Sequence, residues 1–207
     1  VLERRNKSKP TFLKTSEELV FLWYMEIAIE KFNRRIDYLR LSVTDRCNLR
    51  CIYCMPREGI EPVLHKEVLT FEEITRLVNI FASLGIKKIR LTGGEPLIRK
   101  DIINLIQYLV DIPGIEEVSL TTNAILLSDV AVELKKLGIK RLNISLDTLR
   151  EDRFRQITGY SSYYKVIEAI DKVKDLGFWP LKLNTVVMRG INDDEIIDFV
   201  EFALSKE

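Results

Sequence analysis

The chain has 207 residues, 46% hydrophobic and 30% charged, values of an ordinary globular domain that exclude a disordered, collagen-like or membrane-embedded chain. Its 32 Lys and Arg residues against 31 Asp and Glu leave a net charge of +1, which gives no field able to draw the whole protein onto nucleic acid or an anionic membrane. The length suits one domain with one core.

Residues 1–33 read as an N-terminal extension: a basic start with Arg4, Arg5, Lys7 and Lys9, then the apolar run Leu19 to Ile29. Ser16 is placed to cap a helix ending near Arg34. The run is interrupted by Glu26 and is too short to span a bilayer, and no small-residue cleavage site follows it, so a cytoplasmic protein is expected.

From residue 34 to residue 207 the pattern alternates between strand and helix. Tyr38 to Val43 reads as a strand, and Thr70 to Leu84 as a helix with Thr70 and Glu73 forming a capping box and Gly85 as its stop. Strands are then expected over Lys88 to Thr92, Glu117 to Thr121, Arg141 to Leu146 and Leu181 to Val187. The intervening helices are Asp101 to Val110, Ser128 to Leu137, Tyr163 to Leu176 and Asp193 to Leu204. Five β/α pairs imply an α/β fold on a parallel sheet, with ligands bound where the strands run out into loops. Periodicity alone leaves a doubly wound sheet and a partial barrel both open.

The chain's three cysteines fall in one loop after the first strand, Cys47-Asn-Leu-Arg-Cys51-Ile-Tyr-Cys54, and this odd, clustered set suits a metal or cluster site rather than disulfides. Three thiolates in a C-x3-C-x2-C spacing can hold three corners of an iron–sulfur cube and leave the fourth iron open. A structural zinc site would need a fourth ligand, and the sole histidine, His65, stands at an unusual spacing for it. Thr92-Gly93-Gly94-Glu95-Pro96 follows the second strand, where paired glycines would let a ligand approach the backbone.

The C-x3-C-x-aromatic-C run, with Tyr53 as the aromatic residue, resembles the signature of the radical S-adenosylmethionine family, and Gly-Gly-Glu-Pro resembles that family's second motif. The resemblance narrows to its GTP-cyclising branch in molybdenum cofactor biosynthesis. The residues behind it are Arg35-Ile-Asp-Tyr-Leu-Arg-Leu-Ser-Val-Thr-Asp-Arg-Cys-Asn, Arg90-Leu-Thr-Gly-Gly-Glu-Pro, Thr121-Thr-Asn, Asn143-Ile-Ser-Leu-Asp and Arg189-Gly-Ile-Asn-Asp. It implies a partial barrel of the TIM type, truncated at its C-terminal end, with Cys47, Cys51 and Cys54 holding one [4Fe–4S] cluster. It also implies Tyr53, Gly94 and Ser145 at S-adenosylmethionine, Arg40, Arg90, Thr121 and Lys182 at GTP, and a reducing electron donor as partner. Independently, fixed cations on three strands suit an anionic substrate, whereas Thr121 and Ser145 could instead cap backbone groups at strand ends.

Some features depart from that branch. No cysteine follows Cys54, so the later cysteines that hold its second, base-binding cluster have no counterpart among these residues. The alternation stops at the fifth pair, which predicts an uncovered fifth strand and leaves room for a homo-oligomer. Ala124 and Asn33 stand where glycine is usual, and Ala124 implies a changed turn. A radical enzyme acting on another substrate, and a non-catalytic remnant that binds a cluster or metal, are the competing readings.

Overall fold

A computed structural model describes residues 36–206; the helix expected between Ser16 and Arg34 lies outside them. Five strands alternate with helices: β1 (Tyr38–Ser42), α1 (Phe71–Ser83), β2 (Lys88–Thr92), α2 (Ile102–Val110), β3 (Glu117–Thr122), α3 (Leu127–Lys136), β4 (Leu142–Ser145), α4 (Glu151–Thr158), α5 (Tyr163–Asp175), β5 (Leu181–Asn184) and α6 (Ile196–Ser205). The boundaries follow the sequence pattern closely. For α1 the capping box is present, with Glu73 N–H donating to Thr70 Oγ1 at 3.2 Å and Thr70 N–H to Glu73 Oε2 at 2.7 Å.

The strands are all parallel and stand in sequence order, β1-β2-β3-β4-β5. A doubly wound sheet reverses its strand order at a switch point, and this one does not. Right-handed crossovers added always on the same side put every helix on one face and curl the sheet as in an open barrel. Ile89, Leu91, Leu120, Leu142 and Ile144 turn to the helices and are fully buried. The intervening residues face the other way, and apart from Tyr38 they are polar: Arg40, Ser42, Lys88, Arg90, Thr92, Glu117, Ser119, Thr121, Asn143, Ser145, Lys182 and Asn184.

The helix α4 has no counterpart in the expected elements. It buries Phe154, Ile157 and Thr158 on one side and ends at Gly159, whose φ of 84° is the left-handed conformation glycine tolerates. At the other end of the sheet, β5 pairs only with β4 among the described residues, as expected of an uncovered strand. Beside it Leu181, Leu183, Phe199 and Phe202 line an apolar groove of about 670 Å³. No helix of the described residues is long and apolar enough to cross a membrane.

The loop after β4 is held to α6 by Glu195, which has no solvent exposure. Its carboxylate accepts Thr148 Oγ1 at 2.7 Å and Leu149 N–H at 2.6 Å, and Arg153 pairs with it. Glu195→Ala strands a guanidinium, a hydroxyl and an amide, so it is expected to cost about 3 kcal/mol in urea unfolding. Asp194→Asn, at an exposed neighbour, is expected to cost less than about 1 kcal/mol.

Candidate functional site

The cysteine loop begins where β1 ends, and β2 fixes its path. Val43 N–H donates to the Thr92 carbonyl at 2.9 Å, Gly94 N–H to that of Thr44 at 2.7 Å, and Glu95 N–H to that of Arg46 at 2.7 Å. A β-carbon at Gly94 would stand 2.1 Å from the Arg46 carbonyl oxygen, and one at Gly93 2.5 Å from that of Thr44. At either glycine a side chain would strike the chain's own backbone, which is reason enough for the pair before any ligand approaches. The carbonyls of Gly93 and Gly94 accept no hydrogen bond among the described residues, so acceptors remain at this loop.

Behind the loop lies α4. Arg50 N–H donates to the Thr158 carbonyl at 2.8 Å and Ile52 N–H to that of Ile157 at 3.0 Å, while Arg50 Nη1 reaches the carbonyls of Cys47 and Leu49 at 2.8 Å each. Leu49 is buried beneath, and Cys47 and Cys51 are half-buried while Cys54 is exposed. No three Cys, His, Asp or Glu side chains among the described residues gather closely enough to hold a single metal ion. A cluster of several irons asks its thiolates to stand apart, one at each corner.

Glu95 joins this loop to the next. Nearly all of it is buried, with Oε1 accepting Thr122 Oγ1 at 2.7 Å and Leu97 N–H at 3.1 Å, and Oε2 accepting Asn123 N–H at 2.7 Å. Burial pushes its pKa up, against the pull of those donors. Asn123 Nδ2 in turn donates to Asn48 Oδ1 at 2.7 Å and lies 3.8 Å from Cys47 Sγ. The turn keeps the conformation a glycine would give it, because Ala124 itself takes φ 64°. Thr122 Oγ1 accepts Ala124 N–H at 3.0 Å and Asn123 Oδ1 accepts Ile125 N–H at 3.1 Å.

The far side of the loop is held by Asp147, a buried carboxylate that the sequence shows only as part of a motif. Its Oδ2 accepts Tyr53 O–H at 2.6 Å, its Oδ1 accepts Val186 N–H at 2.9 Å, and Asn192 Nδ2 donates to its carbonyl at 2.6 Å. Burial raises the pKa of Asp147, and burial followed by the hydrogen bond to Asp147 raises that of Tyr53. Burial, then Asp147 again, pushes the Cys51 thiol up to about 12, and Cys47 is raised chiefly by burial.

The remaining expected residues share the concave face. Arg40 pairs in register with Arg90, and Arg90 with Ser119; Thr121 pairs with Asn143, and Asn143 with Lys182; Ser145 pairs with Asn184. Arg40 and Arg90 therefore lie one layer deeper than Thr121 and Lys182, with Ser145 nearest the mouth. The Arg90 guanidinium lies 5.3 Å from the Tyr38 ring centre, and its Nε is buried without a hydrogen-bond partner among the described residues. The hydroxyls of Thr121 and Ser145 make no hydrogen bond among the described residues, whereas Thr122 supplies the strand-end hydroxyl that binds backbone.

A family profile described as the radical SAM superfamily matches residues 41–203. The chain belongs to this superfamily. It is 55% identical over 172 residues to the GTP 3',8-cyclase of Clostridium botulinum, covering 83% of this chain and 54% of the relative. The Peptoclostridium acidaminophilum enzyme of that name is 51% identical over 181 residues, covering 87% and 56%. The chain thus spans about half the length of the curated relatives it matches. Streptococcus suis SuiB bound to S-adenosylmethionine shares the fold with TM-score 0.67 at 21% identity, over 82% of this chain and 38% of SuiB. Methylornithine synthase does so with TM-score 0.66 at 16% identity, over 94% and 58%.

Membership brings a [4Fe–4S] cluster and S-adenosylmethionine as cofactors, and the donor set fits them: spaced thiols for iron, and unengaged carbonyls at Gly93 and Gly94 beside them. Without iron the thiols differ in reactivity. With a pKa of about 12, roughly one Cys51 in ten thousand is thiolate at pH 8. Iodoacetamide on the iron-free chain is expected to label exposed Cys54 well before Cys51, read by peptide mass spectrometry; equal rates would contradict the burial of Cys51.

Proposed function

We propose that the chain is the radical S-adenosylmethionine part of a GTP 3',8-cyclase, converting GTP to (8S)-3',8-cyclo-7,8-dihydroguanosine 5'-triphosphate in molybdenum cofactor biosynthesis. Identities of 49% to 55% with enzymes of that name support the reading. The observation that carries it is the concave face, where Arg40, Arg90 and Lys182 share one side of the sheet.

In this reading Cys47, Cys51 and Cys54 hold the cluster, and Tyr53, Gly94 and Ser145 border S-adenosylmethionine. When bound and reduced, the cluster with S-adenosylmethionine supplies a 5'-deoxyadenosyl radical able to take the ribose 3' hydrogen of GTP. Arg40, Arg90 and Lys182 bind the triphosphate, for which planar guanidiniums and an ammonium at fixed positions are suited donors. The orphaned Arg90 Nε gains an acceptor there. Thr121, whose hydroxyl is unengaged, adds a hydrogen bond at the level of Lys182. Holding the ribose and the purine in one orientation lets C3' meet C8, and orientation of this kind is the protein's main contribution. The partners are GTP and a reducing electron donor in the cytoplasm, where clustered thiols stay reduced.

The test is anaerobic reconstitution with iron and sulfide, reduction with S-adenosylmethionine, and chromatography for 5'-deoxyadenosine with and without GTP. Release that rises several-fold with GTP supports the reading, and release indifferent to GTP points to another substrate. Cys51→Ala is expected to remove the cluster's visible absorption and 5'-deoxyadenosine together. Lys182→Ala is expected to raise the GTP concentration for half-maximal release about tenfold, the value of a charge-assisted phosphate contact, while GTP-independent cleavage stays within about twofold.

A further inference from the structure

Asn123 follows the last residue of β3 and is 8% exposed. Its Oδ1 accepts Ile125 N–H at 3.1 Å, so the side-chain amide has one orientation, with Nδ2 turned to the cysteine loop. That nitrogen donates to Asn48 Oδ1 at 2.7 Å and lies 3.8 Å from Cys47 Sγ, within the longer reach of a sulfur acceptor. Leu49 N–H approaches the same sulfur at 3.4 Å. Cys47 Sγ is therefore met by one donor from its own loop and by another from a loop 76 positions away. The Asn123 backbone is fixed as well, its N–H donating to Glu95 Oε2 at 2.7 Å.

An electron added to an iron–sulfur cluster puts more negative charge on its sulfurs. An N–H aimed at a ligand sulfur stabilises the reduced state more than the oxidised one, and so makes the potential more positive. We propose that Asn123 is a positioning residue that raises the reduction potential of the cluster held through Cys47, by directing its side-chain N–H at that sulfur. The proposal rests on the reading of Cys47, Cys51 and Cys54 as the cluster ligands. It goes beyond that reading in giving a side chain outside the cysteine loop a part in how readily the cluster takes its electron.

A purely mechanical role is the rival, because the same amide closes the turn onto Ile125 and ties the loop after β3 to Asn48. The two roles differ in sign. Loosening the loop admits water, which stabilises the more highly charged reduced cluster and moves the potential up, whereas loss of the donor moves it down. Two substitutions separate the turn from the donor. Asn123→Ser keeps a hydroxyl able to accept Ile125 N–H but loses the amide N–H, and Asn123→Ala loses both.

The experiment is spectroelectrochemical titration of the full reconstituted chain without S-adenosylmethionine, in samples matched for iron content. Asn123→Ser and Asn123→Ala are both expected to make the potential more negative by a similar amount. The reduced-to-oxidised ratio at fixed solution potential is expected to fall about fivefold, or about 40 mV for one electron. An unchanged or more positive potential in Asn123→Ser overturns the proposal, whatever Asn123→Ala does, because the turn alone would then account for the residue. Where Asn123→Ala yields no folded protein, Asn123→Ser decides alone by the same criterion. A wild-type chain that takes up no iron overturns the cluster reading itself and this proposal with it, whereas a wild-type cluster whose potential Asn123→Ser leaves in place overturns this proposal only.

Discussion

Two backbone hydrogen bonds, from Gly94 to the Thr44 carbonyl and from Glu95 to that of Arg46, continue the pairing of β1 with β2 past the ends of both strands. They determine where the cysteine loop leaves the sheet. Because a β-carbon at either glycine would stand well inside van der Waals contact distance of a carbonyl oxygen, the approach is available to glycine alone. Cys47 follows one residue after Arg46, so its position is inherited from a contact between backbones rather than from any side chain of the loop. The second attachment, to the end of α4, then fixes the stretch between Cys47 and Cys51.

The loops around that contact are joined by carboxylates that water does not reach. Glu95 ties the loop after β2 to the one after β3, Asp147 ties the cysteine loop to those after β4 and β5, and Glu195 ties the β4 loop to the start of α6. A buried carboxylate offers several lone pairs to amides that a loop leaves without partners, so a single side chain can satisfy two segments at once. The cost is desolvation, visible in the raised pKa values of Glu95 and Asp147. Only Glu195 recovers part of it through a cation, Arg153. Such joints hold the site in shape by directed bonds where strand-end loops have little apolar surface to bury.

The strands and most helices were legible because the burial pattern that organises them is local and periodic. What escaped was α4, eight residues long, whose signals were present in Glu151 and Asp152 at its start, Phe154 and Ile157 on one side, and Gly159 at its close. A helix that short has little intrinsic stability, and its formation depends on packing that periodicity does not report. The cysteine loop and the second motif were legible as motifs, but the backbone contact that requires the glycines was not, since it joins Thr44 to Gly93 and Arg46 to Gly94, far apart in the chain. The roles of Glu95, Asp147 and Glu195 were hidden for a related reason: charged residues are usually exposed, and nothing local marks the ones that fold inward. Ala124 shows the opposite case, a departure visible in sequence whose expected consequence did not follow. Its strained φ, worth about 1–2 kcal/mol, is offset in part by a buried methyl worth about 0.8 kcal/mol, so the turn keeps its shape.

Charge is sorted along the barrel axis. The carboxylates Glu95 and Asp147 sit in the loop layer beside the cysteines, while the concave face below holds Arg40, Arg90 and Lys182. Other charges on that face are matched: Glu117 pairs with Arg141 at 3.0 Å, and Lys88 lies 3.5 Å from Asp37. Among the described residues Arg90 is not, and a buried Nε without an acceptor costs about 1–3 kcal/mol. A domain selected for stability alone would replace such a group with an apolar one of similar size. In the proposed reading the acceptor arrives with the anionic ligand, and the stability forgone in the empty state reappears as binding energy.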